Sequence, residues 1–163
     1  MTHQDELIAE LKRVPWFSEL KADHFKRIKE ITVIRNFKAG ETLFREGDKE
    51  NFLYVVLEGR IALDMHIPTR GKVLFYTAEQ WDVIGWSSAT PSVRQRTAGA
   101  KAVLDSVVAC LDAEGLRRLC DQDHDLGYLV MRRLANIIAS RLMVTRLQLI
   151  DMFATPPETK NDD

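Results

Sequence analysis

The sequence predicts a mainly β fold with helices at both ends. Between residues 31 and 111, short runs rich in β-branched and aromatic residues alternate with turns that contain glycine or proline. No long helical pattern separates these runs, which favours an antiparallel sandwich or barrel over a parallel α/β sheet. On either side of this region, apolar residues recur at helical spacing instead.

The N-terminal region, residues 1–31, predicts two short helices. Apolar residues recur at helical spacing in two stretches, the first of which contains Leu7, Ile8 and Leu11 and the second Phe25, Ile28 and Ile31. The sequence Pro-Trp-Phe at 15–17 lies between them and predicts an elbow. The strands are expected at 32–111.

The C-terminal region, residues 112–153, predicts a short helix and then a long one at 125–153. Apolar residues fall on more than one side of the long helix, so it has two surfaces to bury. One small barrel is too short to cover the whole helix, and we therefore expect a homodimer through it. Residues 154–163 contain two prolines and no periodicity, which predicts a disordered tail after a single domain at 1–153.

Composition excludes several classes of protein. The 23 basic and 24 acidic side chains give a formal net charge of -1, so no overall field attracts nucleic acid or anionic lipid. The N-terminus has no signal-peptide pattern, and no apolar run reaches the roughly 18 residues of a membrane span. We expect a cytoplasmic protein with no membrane contact, and Cys110 and Cys120 as free thiols.

The segment 83–102 carries the functional signal. Gly85 leaves a strand, small residues at 87–89 offer backbone N–H groups in a helical turn, and Arg96 and Thr97 return at the start of the next strand. N–H donors, a guanidinium and a hydroxyl are the groups that hold a phosphate.

This segment resembles the phosphate-binding cassette of the cyclic-nucleotide-binding domain family. The matching residues are Ile84, Gly85, Ser88, Arg96, Thr97, Ala98, Ala100 and Ala102. Residues 37–48 and 52–61 resemble the first strands and turns of the family, and 14–20 resembles its N-terminal helical motif. The resemblance covers about 7–153 and implies a double-stranded β-helix, a jelly-roll-like barrel of eight strands.

The resemblance also implies a role for each site residue. Phosphate would be bound by Arg96 and Thr97, with Gly85 and the backbone N–H groups of Ser87, Ser88 and Ala89. The base would lie on the long helix near Asn136, Ser140 or Thr145. The implied ligand is cyclic AMP, cyclic GMP or another phosphorylated small molecule, and no cofactor is required.

Trp86 departs from the family pattern. It stands where the family has a glutamate that accepts the ribose 2′-hydroxyl, and an indole donates one hydrogen bond and accepts none. Losing this acceptor typically costs about 1–3 kcal/mol. Two functions therefore stay open: a sensor that binds a cyclic nucleotide, and a degenerate domain that acts as a ligand-independent dimeric interaction module.

The sequence also allows other interpretations of single residues. Arg96 could be a surface arginine paired with a carboxylate, and Asn136 could set the register of a dimer seam. Arg132, Arg133, Arg141 and Arg146 make the long helix basic, and we interpret them as a solvated face or as charges beside a dimer seam. About ten residues follow that helix, too few for a helix-turn-helix, so we expect an unknown downstream protein as the partner and no direct DNA binding.

Enzymatic and metal-binding functions find little support. The sequence Gly-Trp-Ser-Ser-Ala at 85–89 lacks the parallel α/β context that the nucleophile elbow of a hydrolase requires. The acids at 121–125 lack the glycine and glutamate of a calcium loop, and the four histidines are scattered. We expect a protein that is not an enzyme and holds no metal.

Overall fold

The computed structural model describes residues 3–49, 51–90 and 95–154. The predicted tail lies almost wholly outside these ranges. The helices are α1 (His3–Glu10), α2 (Ala22–Glu30), α3 (Ala113–Gln122) and α4 (His124–Ala154), with short 3₁₀ turns at Leu11–Arg13 and Trp86–Ala89. The strands are β1 (Thr32–Phe37), β2 (Thr42–Phe44), β3 (Phe52–Glu58), β4 (Ile61–Ile67), β5 (Gly71–Ala78), β6 (Val83–Ile84), β7 (Gly99–Ala102) and β8 (Ser106–Asp112).

The eight strands form two four-stranded sheets, and every paired neighbour is antiparallel. The first sheet has the order β1-β8-β3-β6 and the second the order β2-β7-β4-β5. Strands that are distant in sequence therefore pair side by side, as in a β-roll. The predicted mainly β fold with flanking helices is confirmed.

Two apolar clusters, one on each face of the first sheet, explain the uninterrupted apolar run of β3. Tyr54 and Val56 point into the barrel, where they meet residues of the second sheet such as Phe44 and Ile61. Their neighbours on β3 point outward and pack under the helices. Because both faces of the strand are covered, it needs no polar residues at alternate positions.

The long helix α4 is buried at its start and exposed towards its end. Leu126, Val130 and Leu134 are buried against the domain. Asp123 precedes the helix, and its carboxylate accepts a hydrogen bond from the backbone N–H of Leu126 at 3.1 Å. Beyond residue 141 the apolar side chains are exposed: Leu142, Met143, Val144, Leu147, Leu149, Ile150, Met152 and Phe153. This half of the helix has no covering surface within the described chain.

Both cysteines are free thiols. Burial raises the pKa of Cys110 to about 12 and that of Cys120 to about 11, so both thiols stay protonated near neutral pH. Within the described ranges, no helix is both long and apolar enough to span a membrane.

Candidate functional site

Gly85 ends strand β6 and starts the 3₁₀ turn in a conformation that favours glycine. Its φ is 69°, in the left-handed region. Its carbonyl accepts hydrogen bonds from the backbone N–H of Ser88 at 3.1 Å and from the Ser88 hydroxyl at 2.7 Å. The turn is thereby closed on itself, with the buried residues Ser87, Ser88 and Ala89 at its base.

Arg96 lies inside the barrel wall, with 3% of its surface exposed. Its guanidinium donates to the carbonyl of Gly85 at 3.2 Å and to the carbonyl of Phe52 at 2.5 Å. Its Cζ lies 4.4 Å from the ring centre of Phe44 and 5.3 Å from that of Tyr54. The arginine therefore ties the turn Trp86–Ala89, which we call the site turn, to strand β3. Burial raises the pKa of the Tyr54 hydroxyl, and the nearby positive charge of Arg96 partly offsets this rise.

A cavity of about 350 Å³ lies between the site turn, the second sheet and α4. We call it the barrel cavity. Its walls are mainly apolar and aromatic, and include Phe44, Phe75, Tyr76, Trp86 and Ile138. The side chains that bring polar groups to its lining are Tyr76, Trp86, Ser87, Thr97, Arg141, Thr145 and Gln148. A concave, largely apolar site with a few polar groups is the usual form of a small-molecule pocket.

The structure brings five of the predicted site residues to the barrel cavity: Gly85, Trp86, Ser87, Thr97 and Thr145. Ser88 and Ala89 lie in the buried base of the turn, where the carbonyl of Ser88 accepts a hydrogen bond from Arg117 of α3 at 2.5 Å. Thr97 is exposed, so its hydroxyl is open to a ligand.

Asn136 and Ser140 are exposed on α4 and face a different cavity. This second cavity, of about 300 Å³, lies between the N-terminal elbow at Pro15 and Trp16 and the long helix. The two residues predicted for the base are therefore separated from Thr145, which lines the barrel cavity. Helix geometry explains the separation, because residues 136, 140 and 145 do not share one face.

Trp86 is half-buried and packs against the cluster between the first sheet and the helices, while also lining the barrel cavity. It is thus part of the wall that joins the site turn to the core. The bulky side chain at the glutamate position has a packing role that a carboxylate could not take.

Sequence reasoning missed Arg141, which it placed on a solvated face or beside a dimer seam. Arg141 is half-buried and lines the barrel cavity. Its Cζ lies 3.2 Å from the ring centre of Tyr76, and Nη2 donates to the carbonyl of Val83 at 3.5 Å. Burial lowers the pKa of Arg141 to about 10. The sequence holds only a partial signal: residues 138, 141, 142 and 145 are spaced i, i+3, i+4, i+7 on one helical face, but spacing alone does not show that this face meets the barrel.

The neighbouring arginines have surface roles. Arg132 and Arg133 both pair with Glu19, at 2.5 and 2.8 Å, and so tie α4 to the N-terminal elbow. Arg146 is exposed. No cluster of three or more potential metal ligands occurs in the part of the chain that the structure describes.

The family model of the cyclic nucleotide-binding domain matches residues 34–123, more than half of the chain. The match spans the barrel from β1 to the end of α3, and so includes the site turn, Arg96 and Thr97. It was anticipated by the resemblance of the sequence around Gly85 and Arg96.

Solved structures share the fold over nearly the whole chain. A cyclic nucleotide-binding domain from Methylobacillus flagellatus superposes with a TM-score of 0.77 at 20% identity, over 95% of this chain and 85% of that one. The sensor domain of the transcriptional regulator DNR from Pseudomonas aeruginosa superposes with a TM-score of 0.71 at 18% identity, over 96% of this chain and 99% of that one. The catabolite activator protein of Thermus thermophilus superposes with a TM-score of 0.68 at 24% identity, over 85% of this chain and 62% of that one.

A sequence relative is a candidate potassium channel protein of Rhodopseudomonas palustris. The two are 26% identical over 129 residues, which is 79% of this chain and 30% of that protein. The chain therefore spans about a third of the length of this curated relative.

Proposed function

The chain belongs to the cyclic nucleotide-binding domain family, and on that basis we propose that it is a sensor domain without enzymatic activity. It binds a cyclic nucleotide or a related phosphorylated anion in the barrel cavity. It passes the signal to a partner protein in the cytoplasm through a dimer formed by α4.

The observation that carries this proposal is the position of the cavity. It lies directly against Gly85, Ser87 and Thr97, three residues of the segment that resembles the family's phosphate-binding cassette. The hydrogen bonds from the Arg96 guanidinium to the carbonyls of Gly85 and Phe52 hold this segment in place. A ligand in the cavity would meet Thr97 on the barrel side and Thr145 on the helix side, so it would touch both the rigid sheet and α4.

A second function is favoured by one observation, the packing of Trp86 into the wall of the cavity. The indole leaves the ribose hydroxyl without its usual acceptor and fills space on that side. In the second candidate, the domain binds no nucleotide and serves as a dimeric interaction module.

Thermal shift with cyclic AMP, cyclic GMP, cyclic dinucleotides and inorganic phosphate tests the ligand-binding proposal. A ligand that binds only the folded state at 100 times its Kd stabilises it by about 2.7 kcal/mol. For a domain of this size, that raises Tm by roughly 5–10 °C. Thr97→Val removes the exposed hydroxyl and should reduce the shift, whereas Thr42→Val, an exposed threonine on β2, is the matched control and should not.

If no nucleotide or phosphate changes Tm, the interaction-module function replaces the sensor. If a ligand raises Tm equally in wild type and Thr97→Val, ligand binding stands but the cassette hydroxyl has no part in it.

The dimer rests on the exposed apolar half of α4. A helix that exposes Leu142, Leu149 and Phe153 gains by pairing with a second copy, which buries the same residues on both chains. Sedimentation equilibrium should give twice the 18.7 kDa chain mass for the wild type. Leu142→Asp should shift the mass towards the monomer, and Ser140→Asp, which faces the N-terminal elbow, should leave it unchanged. A monomeric wild type at micromolar concentration would exclude the dimer.

A further inference from the structure

The charge of the barrel cavity comes from α4. Of the described residues that line this cavity, only Arg141 carries a formal charge. Arg96, the residue predicted to neutralise a phosphate, lies behind the wall and donates to the carbonyls of Gly85 and Phe52. The formal positive charge at the lining of the cavity is therefore that of a helix residue.

Arg141 is held in place without a carboxylate partner. No ion pair joins it to an acidic side chain of the described residues, and burial is the sole cause of its lowered pKa. Its Nη1 is buried, and no acceptor of the described residues lies within hydrogen-bonding distance. Its contacts are the face of Tyr76 and a long bond to the carbonyl of Val83.

A half-buried cation that lacks a counter-ion costs a fold stability. Desolvation of a guanidinium in apolar surroundings is compensated only by pairing or by full hydrogen bonding, and Arg141 has one weak bond and one aromatic contact. A methionine at this position would fill much of the space of the aliphatic stem without the cost of a charge. A perturbed cationic group in a cavity is typical of a residue kept for its ligand.

We propose that Arg141 is the counter-ion of the ligand and that the barrel cavity selects an anion through it. The ligand class is a small molecule with a phosphate or phosphodiester group that hydrogen-bonds to Thr97 on the barrel and pairs with the guanidinium of Arg141 on α4. Binding then depends on where α4 lies, and the anionic group itself links the barrel to the helix. This inference rests on the proposed function, because it concerns the same cavity.

The experiment compares charged and neutral ligands on matched variants. Arg141→Met keeps an unbranched, flexible side chain and removes the charge. Arg146→Met removes a charge from an exposed position on the same helix that lines neither cavity. Calorimetry measures cyclic AMP, inorganic phosphate and neutral adenosine on each protein. In Arg141→Met, the affinities for cyclic AMP and for phosphate should fall at least tenfold, and the affinity for adenosine should change less than twofold. Arg146→Met should leave all three within twofold.

The outcomes separate the inference from the proposed function. If wild type binds cyclic AMP or phosphate and Arg141→Met binds it equally well, the assignment of Arg141 is wrong and the sensor function stands. If wild type binds none of these ligands, both fall. An equal loss for adenosine and cyclic AMP would make Arg141 a packing residue and would also overturn the assignment.

A measurement on the wild type covers the case in which Arg141→Met does not fold. In arginine-labelled protein, the Nε–H resonance of Arg141 is identified by its loss in Arg141→Lys. It should shift on addition of cyclic AMP and not on addition of adenosine. An unchanged resonance at saturating cyclic AMP would contradict direct contact.

Discussion

The contact between Gly85 and Arg96 predicts that a single methyl group disrupts the site turn. A Cβ built at Gly85 would lie 2.4 Å from Nη1 of Arg96 and 3.1 Å from Cδ2 of Tyr54. The guanidinium is at the end of a flexible side chain, but it is buried, bonded to two carbonyls and packed on two rings. In Gly85→Ala it must leave this position.

The magnitude has two parts. Alanine in the left-handed region costs roughly 1–2 kcal/mol. Displacing the guanidinium breaks at least one of its two hydrogen bonds, and a bond from a charged donor is worth about 1.5–3 kcal/mol. The free energy of unfolding should therefore fall by roughly 2.5–5 kcal/mol.

Gly40→Ala is the matched control. Gly40 has φ of 92°, and apart from its chain neighbours no heavy atom of the described residues lies within 4 Å of a Cβ built there. The variant Gly40→Ala therefore loses only the conformational part of the stability, roughly 1–2 kcal/mol. Urea unfolding of both variants should differ by about 2 kcal/mol, and Gly85→Ala should melt roughly 4–8 °C below Gly40→Ala.

A double-mutant cycle tests the cause. When Arg96 is already alanine, the nearest obstacle is gone, and adding Gly85→Ala should cost clearly less than it does in the wild type and come close to the cost of Gly40→Ala. Equal destabilisation by Gly85→Ala and Gly40→Ala in the wild-type background would refute the reasoning.

Three further predictions concern the elements around the site turn. Trp86→Glu should raise the affinity for cyclic AMP at least tenfold and that for a 2′-deoxy analogue much less, because only cyclic AMP has a 2′-hydroxyl that needs an acceptor. Calorimetry measures both affinities. Arg117→Met should speed amide exchange of the site turn, because it removes the 2.5 Å bond to the carbonyl of Ser88, while the exposed Arg118→Met should not. In Asp123→Asn, the loss of stability relative to wild type should be constant above about pH 5, decrease as pH falls below about 4, and vanish only below the lowered pKa of the folded state.

The sign of the pH prediction follows from the contacts of Asp123. The N–H of Leu126, followed by His24 and Arg27, holds the pKa of Asp123 below its usual range. A carboxyl whose pKa is lower in the folded state stabilises that state above its unfolded pKa and loses the effect as pH falls through the folded value. A difference between variant and wild type that persists at pH 2 would assign the effect to packing.

Local patterns predicted the barrel because its strands are written in local sequence. The apolar run at 52–57 and the glycines at the turns predict strands, and the segment around Gly85 predicts the site turn. The path of a long side chain is not local. Whether Arg96 faces the cavity or the wall depends on the carbonyls of Phe52 and Gly85, which meet only after β3 and β6 pair.

The helix shows the same limit from the other side. Arg141 and Arg146 look alike in sequence, and helical spacing alone gives their angle but not which angle faces the barrel. That direction is fixed by Leu126, Val130 and Leu134 at the start of α4, which dock against the core cluster. With those three positions buried, Arg141 falls beside Tyr76 and Arg146 falls in solvent.

The position of Leu142 joins the two proposals made for α4. Leu142 lines the barrel cavity, yet 48% of its surface is exposed, and it lies next to Arg141 in the chain. A ligand anion that fixes Arg141 also fixes the orientation of the exposed apolar half that follows. If that half pairs with a second copy, ligand affinity and dimer affinity must change together, because coupling between two binding events is reciprocal. Leu142→Asp should then weaken cyclic AMP as well as the dimer, and adding cyclic AMP should tighten the wild-type dimer in sedimentation. A dimer constant that does not respond to saturating cyclic AMP would show that α4 serves the two functions independently.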